Sequence, residues 1–277
     1  MTERGQGWTI HTTMLQFSAH SQPLLISLLL ACAGLPCHAQ SPAPSGPIEI
    51  HDRISPSSNV LNNRVALTLD ACSGQFDEDL ILFLVRNRIP ATIFATKKWL
   101  LKNPRGLAML KTHLDLFDIE DHGENHIPAV IGAGRKVYGI PGEPDMLHLR
   151  QEVLEGARAI ERATGVPPHW YRGATAEYDQ QASDEIRRMG YKIAGFSVNA
   201  DAGATLNQQQ ITDRLRHVRG GDVIIAHMNK PQSPTAEGLS VGLMDLLRRG
   251  LVFVRLDQVD LEEIPSQPTR REPQHVE

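Results

Sequence analysis

Between residues 64 and 255 the apolar positions follow two alternating rhythms. Short unbroken runs of strand length come at Arg64–Leu69 (RVALTL), Ala91–Ala95 (ATIFA), Leu114–Ile119, Trp170–Tyr171, Lys192–Val198, Val223–Ala226 and Val252–Arg255. Segments with helical spacing separate them. Asp77–Arg86 carries Leu80, Ile81, Leu84 and Val85. Asp145–Thr164 lines up Leu149, Val153, Leu154, Ala157 and Ile160 on one stripe, and Gly165 ends it. Shorter helices are predicted at Leu107–His113, Gln180–Met189, Gln208–His217 and Ala236–Arg249. Residues 122–142 read as a loop, with several glycines and with prolines at 128 and 141. Strands alternating with helices predict an α/β fold with a largely parallel sheet, and residues 49–264 read as one domain.

The two ends depart from that rhythm. Pro23–Ala33 (PLLISLLLACA) has the length of a signal-peptide core and is too short to span a bilayer comfortably, so residues 1–39 are expected to be an export signal ending at Ala39. The only basic residue ahead of that core is Arg4, and Leu29-Leu30-Ala31-Cys32 loosely resembles a lipoprotein cleavage site. Residues 40–48 read as a Pro- and Ser-rich linker, and residues 265–277 as a disordered tail. Export to a periplasm is the expected localisation, with no membrane span in the mature chain.

Composition narrows the partners. At 277 residues, 41% hydrophobic and 22% charged, the chain is long enough to bury a core without disulfides. A net charge of -4 without a basic run excludes nucleic acid, and any substrate is recognised locally in a cleft. Of three cysteines, Cys32 and Cys37 fall in the signal segment, which leaves Cys72 alone in the mature protein.

Chemistry in α/β folds gathers at the carboxyl ends of strands. Asp70 follows RVALTL there and needs a metal, an arginine or backbone donors, or else caps a loop. His122 and His126 (HGENH) have a spacing that lets two imidazoles meet one metal, and also the spacing of two surface histidines. His227 ends DVIIA, as an acid or as a hydrogen-bonded core histidine. Arg172, ending HWYR, reads as a substrate clamp or as the buried partner of a carboxylate.

Taken in order, these pieces resemble the polysaccharide deacetylase family, over roughly Arg64 to Leu256. That family opens with Thr-Phe-Asp-Asp-Gly, and this chain has Thr68-Leu69-Asp70-Ala71-Cys72, so the base position is Asp70 while the family's second aspartate, a metal ligand, is Ala71. The His-Ser/Thr-x-x-His motif matches His122-Gly123-Glu124-Asn125-His126, and the apolar strand ending in His matches Val223–His227. Arg172-Gly173-Ala174-Thr175 and Asn199-Ala200-Asp201-Ala202 match the remaining two motifs in part.

The resemblance implies a distorted (β/α) barrel of about seven parallel strands and a divalent metal, most simply zinc, on His122 and His126. It further implies Asp70 as base, His227 as acid, Arg172 orienting Asp70, and Asp201 supporting His227. For the third ligand Asp70 is favoured, its role as base or ligand left open, with Asp77 and Cys72 as alternatives, although the family gives Cys72 no such role. Trp170 and Tyr178 are expected to stack on sugar. The implied activity is removal of N-acetyl groups from an N-acetylated polysaccharide or oligosaccharide. The competing readings are a catalytically silent glycan-binding protein and a hydrolase of another amide, such as a cyclic ureide or imide.

Overall fold

A computed structural model of the chain describes residues 46–56 and 63–265. The expected signal segment, the linker up to residue 45 and the tail from residue 266 lie outside the described residues.

Eight parallel strands carry the fold: β1 Arg64–Ala71, β2 Ala91–Ala95, β3 Phe117–Asp121, β4 Trp170–Tyr171, β5 Lys192–Ile193, β6 Val198–Asn199, β7 Val223–His227 and β8 Val252–Val254. Seven form one path in the order β5-β4-β3-β2-β1-β7-β6, and β8 pairs with the amino-terminal end of β1. The helices are α1 Glu78–Arg86, α2 Lys97–Lys102, α3 Pro104–Lys111, α4 Met146–Thr164, α5 Gln180–Arg188, α6 Gln208–Arg216 and α7 Thr235–Arg248. This is the distorted (β/α) barrel the sequence implied, present as a half-barrel of parallel strands wrapped by helices.

Alternation along the strands sorts the side chains onto two faces. Val65, Leu67, Leu69, Ile93, Phe117 and Ile119 pack with helix residues such as Leu80, Leu84, Leu243 and Leu246 in the main core. Their alternates Ala66, Phe94, Trp170, Val223 and Ile225 form a second cluster inside the curved sheet, with Leu256 and Val259 from the segment after β8. The Leu256 amide bonds the Thr92 hydroxyl at 2.9 Å, which seats that segment beneath the strands.

Two elements differ from the sequence reading. The run expected as one strand over Lys192–Val198 is split into β5 and β6, which lie at opposite edges of the path. Four residues join them, so the edges approach within about 18 Å by chain length alone. The link is held by polar contacts instead of a ladder: the Gly195 amide bonds the Asp52 carboxylate at 2.7 Å, and a Cβ on Gly195 would meet the Ile50 carbonyl at 2.4 Å. The strand expected from Leu114 begins at Phe117 because the amides of Leu116 and Phe117 turn back onto the His113 carbonyl. Among the described residues no helix is long and apolar enough to cross a membrane.

The inner face also buries acids. Glu120, 2% exposed, accepts from the amides of His169 and Trp170, both at 2.8 Å. Burial, reinforced by neighbouring Asp118, pushes its carboxyl up to about 9. Since the folded state binds that proton more tightly than the unfolded chain, the native state loses stability as pH climbs from near 4.5 toward 9. Thermal melts across that window are expected to show a Glu120→Gln variant with a flatter pH dependence than the parent. An unchanged slope would mean that Glu120 is ionised in the fold.

Candidate active site

Four strand ends bring the chemistry together. β1 delivers Asp70 and, one residue past its end, Cys72, while β7 delivers His227 as the register partner of Asp70. β3 leads directly into His122, and β4 into Arg172.

Arg172 is fully buried and uses its whole guanidinium. Nη1 donates to Asp70 Oδ1 at 2.9 Å and to Thr68 Oγ1 at 2.8 Å, while Nε and Nη2 donate to the carbonyls of Ala194 and Gly195, each at 3.1 Å. The Phe94 ring lies 4.3 Å beneath it. The planar fork suits this arrangement because every nitrogen has an acceptor and the face rests on an aromatic. Asp70, 4% exposed, is thereby paired through one oxygen, and its other oxygen lies 3.7 Å from His122 Nε2.

His122 is oriented from behind. Its Nδ1 bonds the Arg172 carbonyl at 2.5 Å, which leaves Nε2 facing the Cys72 sulfur at 3.4 Å. The His126 ring stands 4.8 Å from that of His122, at 66°. Cys72, His122 and His126 offer ligand atoms that all lie within 4.8 Å of one another.

The donor set fits a divalent metal. A tetrahedral zinc with sulfur near 2.3 Å and nitrogen near 2.0–2.1 Å separates those two ligands by about 3.5 Å. The backbone anchor on His122 Nδ1 is the support that metal-bound imidazoles ordinarily have. Burial opposes a thiolate at Cys72, but His126 and His122 outweigh it and hold the thiol well below its usual range. Burial likewise opposes an imidazolium at His122, and Asp70 and Cys72 override it, raising this group to about 9.

On the other side, His227 is tied to a buried acid. Its Nδ1 bonds Asp201 Oδ1 at 2.9 Å, while Asp201 Oδ2 accepts from the His227 amide at 2.8 Å and from the Thr235 hydroxyl at 3.1 Å. These contacts fix the imidazole with Nδ1 engaged, and Cys72 interacts with its side chain as well. Burial works against charge on His227, yet Asp201 raises it well above its ordinary value.

The structure therefore gathers Asp70, His122, His126, Arg172, Asp201 and His227 around one centre. Cys72 completes the compact ligand group, and Asp70 stands beside that group rather than within it. Asp77 does not reach the centre, because it caps α1 by accepting from the Leu80 amide at 3.0 Å. Trp170 and Tyr178 correct the stacking expectation. They are 5% and 1% exposed, with Tyr178 Oη accepting from the Gly173 amide, so neither ring has a face open to sugar. Sequence reasoning missed Thr68, Thr235 and Glu152, whose contacts join residues far apart in the chain. A cavity of about 550 Å³ lined by Glu120, Trp170, Lys192 and Asp260 contains none of the central residues, so chemistry and not cavity size marks this site.

Residues 58–194 match the family model described as polysaccharide deacetylase. Among solved structures the fold is similar to a CE4 family pseudoenzyme from Bacillus anthracis, with 18% identity over 72% of this chain and a TM-score of 0.57. The match covers 65% of that neighbour's length. It is also similar to the Bc1960 peptidoglycan N-acetylglucosamine deacetylase, with 19% identity over 71% of this chain and 87% of that one, TM-score 0.60. A family 4 carbohydrate esterase from Bacillus anthracis is similar at 19% identity over 72% and 82% of the two chains, TM-score 0.54. No curated protein matches in sequence.

Breaking the buried pair by Arg172→Met leaves Asp70 uncompensated. Denaturant unfolding is expected to show a loss of about 3–5 kcal/mol. A loss below about 1 kcal/mol, the range of exposed pairs, would mean that Asp70 is solvated or already neutral.

Proposed function

The chain is a divergent member of the polysaccharide deacetylase family, and on that premise we propose that it is a metal-dependent hydrolase that removes N-acetyl groups from a glycan outside the cytoplasm. The observation that carries this reading is the convergence of Asp70 and His227, register partners on adjacent strands, beside the Cys72, His122 and His126 group. A base, an acid and a ligand set in one place are what amide hydrolysis needs and what a purely binding site does not.

Cys72, His122 and His126 would hold the ion, zinc by its acceptance of nitrogen and sulfur donors. When bound, it polarises the acetyl carbonyl and acidifies water. Asp70 takes a proton from the attacking water through the oxygen that Arg172 leaves free. His227, held by Asp201 through Nδ1, offers its other nitrogen to protonate the departing sugar amine. Arg172 keeps the base in place, and its carbonyl keeps His122 turned inward. Cys72 thus serves in place of the carboxylate that Ala71 lacks, on the neighbouring residue of the same strand end.

The substrate class is an N-acetylated polysaccharide, peptidoglycan being one such polymer, and the apolar segment Pro23–Ala33 supports export to the periplasm. A mature amino terminus near Gln40, read by mass spectrometry, supports export, whereas an intact Met1 sinks it. A second reading, glycan binding without hydrolysis, is favoured by Ala71.

Elemental analysis of the purified mature protein, paired with acetate release from N-acetylated oligosaccharides, separates the two readings. About one equivalent of metal is expected, lost in His122→Ala and reduced in Cys72→Ser. Asp70→Asn is expected to lower acetate release by 10²–10⁴-fold with metal retained. No metal even after added zinc would overturn the hydrolase reading in favour of binding.

A further inference from the structure

Three successive backbone amides in the turn that carries His126 converge on one carboxylate. Glu152, on α4 and 3% exposed, accepts from Asn125 N through both oxygens at 2.9 and 3.0 Å and from Ile127 N at 3.1 Å. It also accepts from the His126 amide between them. One residue earlier, the Glu152 backbone carbonyl accepts from Glu124 N at 2.9 Å. Successive amides point to one side only when the chain leaves the ordinary helical and extended conformations, and such a concave run binds an anion. Here His126 has φ +66° and Gly123 has φ +87°. A left-handed conformation at a residue with a side chain persists only where its surroundings hold it.

Close packing of α4 against the turn leaves no other arrangement. A Cβ at Gly123 would lie 2.5 Å from Glu152 Oε1. One at Gly156, a turn further along α4, would lie 2.2 Å from Asp121 Oδ1 and 2.6 Å from the Gly123 carbonyl carbon. Position 123 is where this chain has Gly in place of the family's Ser or Thr. The acceptor that orders the turn comes instead from a helix 29 residues onward, since the Glu152 carboxylate occupies the space that a side chain at 123 would need.

We propose that Glu152 is the positioning residue for His126, a buried carboxyl group that folds the His122–His126 turn around itself and so sets the second imidazole before any ion arrives. This inference rests on the metal reading of the same site. It makes the affinity of the site depend on a residue that touches neither ion nor substrate, as contacts behind metal ligands commonly do.

Hydrogen exchange on the metal-free mature protein and zinc affinity measured against a chromogenic chelator test it together. Glu152→Ala is expected to strip protection from the amides of Asn125, His126 and Ile127 and to weaken zinc binding by about 10–100-fold. Glu152→Gln keeps a carbonyl oxygen at Oε1 and is expected to restore most of both. Glu152→Asp keeps the carboxyl group but withdraws it by one methylene and falls between them, which preserves the test if the alanine variant does not fold. Glu161→Ala, exposed on the same helix, leaves both readouts at parental values. Parental protection at 125–127, or parental zinc affinity, in the Ala and Asp variants overturns the proposal. If the parent itself binds no zinc, the functional reading fails, and the exchange data alone then decide whether Glu152 holds the turn.

Discussion

The guanidinium of Arg172 is the point from which this fold is tied together. It is a permanent charge with no exposure to water, and such a group persists only when it is paired and hydrogen-bonded. Its partners come from three places in the chain: Asp70 and Thr68 on β1, the ring of Phe94 on β2, and the carbonyls of Ala194 and Gly195 in the link that crosses between the edges of the sheet. Its own carbonyl then fixes His122. The strands, the link between their edges and the orientation of the His122 imidazole thus all meet on one residue. Structure and chemistry cannot be varied independently here.

A polar interior has consequences for the rest of the barrel. The inward faces of β1, β2 and β3 carry Thr68, Asp70, Thr92, Asp118 and Glu120, where an ordinary core would have aliphatic groups. Each must find a partner inside. Thr68 donates to the Ile224 carbonyl at 2.7 Å, Thr92 receives the Leu256 amide, and Glu120 serves two amides of the chain entering β4. Most of the apolar packing is on the outer face against the helices, where Leu67, Leu69 and Ile93 are fully buried, with a smaller cluster around Phe94 and Ile225 inside. The division lets part of the inner face carry hydrogen bonds and charge while the outer face supplies most of the hydrophobic packing.

The centre itself shows how a divergent sequence keeps a constellation. Ala71 sits on the outer, apolar face of β1, among residues such as Leu69 and Ala95, whereas Cys72 lies where the strand has ended and the chain is free to turn toward His122. A sulfur there is longer-reaching and softer than a carboxylate oxygen, and it stands near three imidazoles. The turn bearing His126 is likewise seated by α4 instead of by its own side chains.

Much was legible in the sequence, because it depends on neighbours along the chain. Hydrophobic rhythm marked the strands at Arg64, Ala91 and Val223 and the long helix stopped by Gly165, and strand ends marked Asp70, His122 and His227. These follow from local periodicity and from the rule that parallel sheets expose their carboxyl ends. The order of those residues was enough to suggest the family. What the sequence left open was decided by contacts between distant segments. It did not tell a Lys192–Val198 strand from two strands at opposite edges, since both are equally apolar. Trp170 and Tyr178 passed for sugar platforms because burial is a property of the packed barrel. That Cys72 and not Asp77 stands beside the two histidines follows from the turn after β1 and the cap of α1. Glu152 gave no signal at all, for a glutamate on a helix reads as surface until the turn of another segment closes over it.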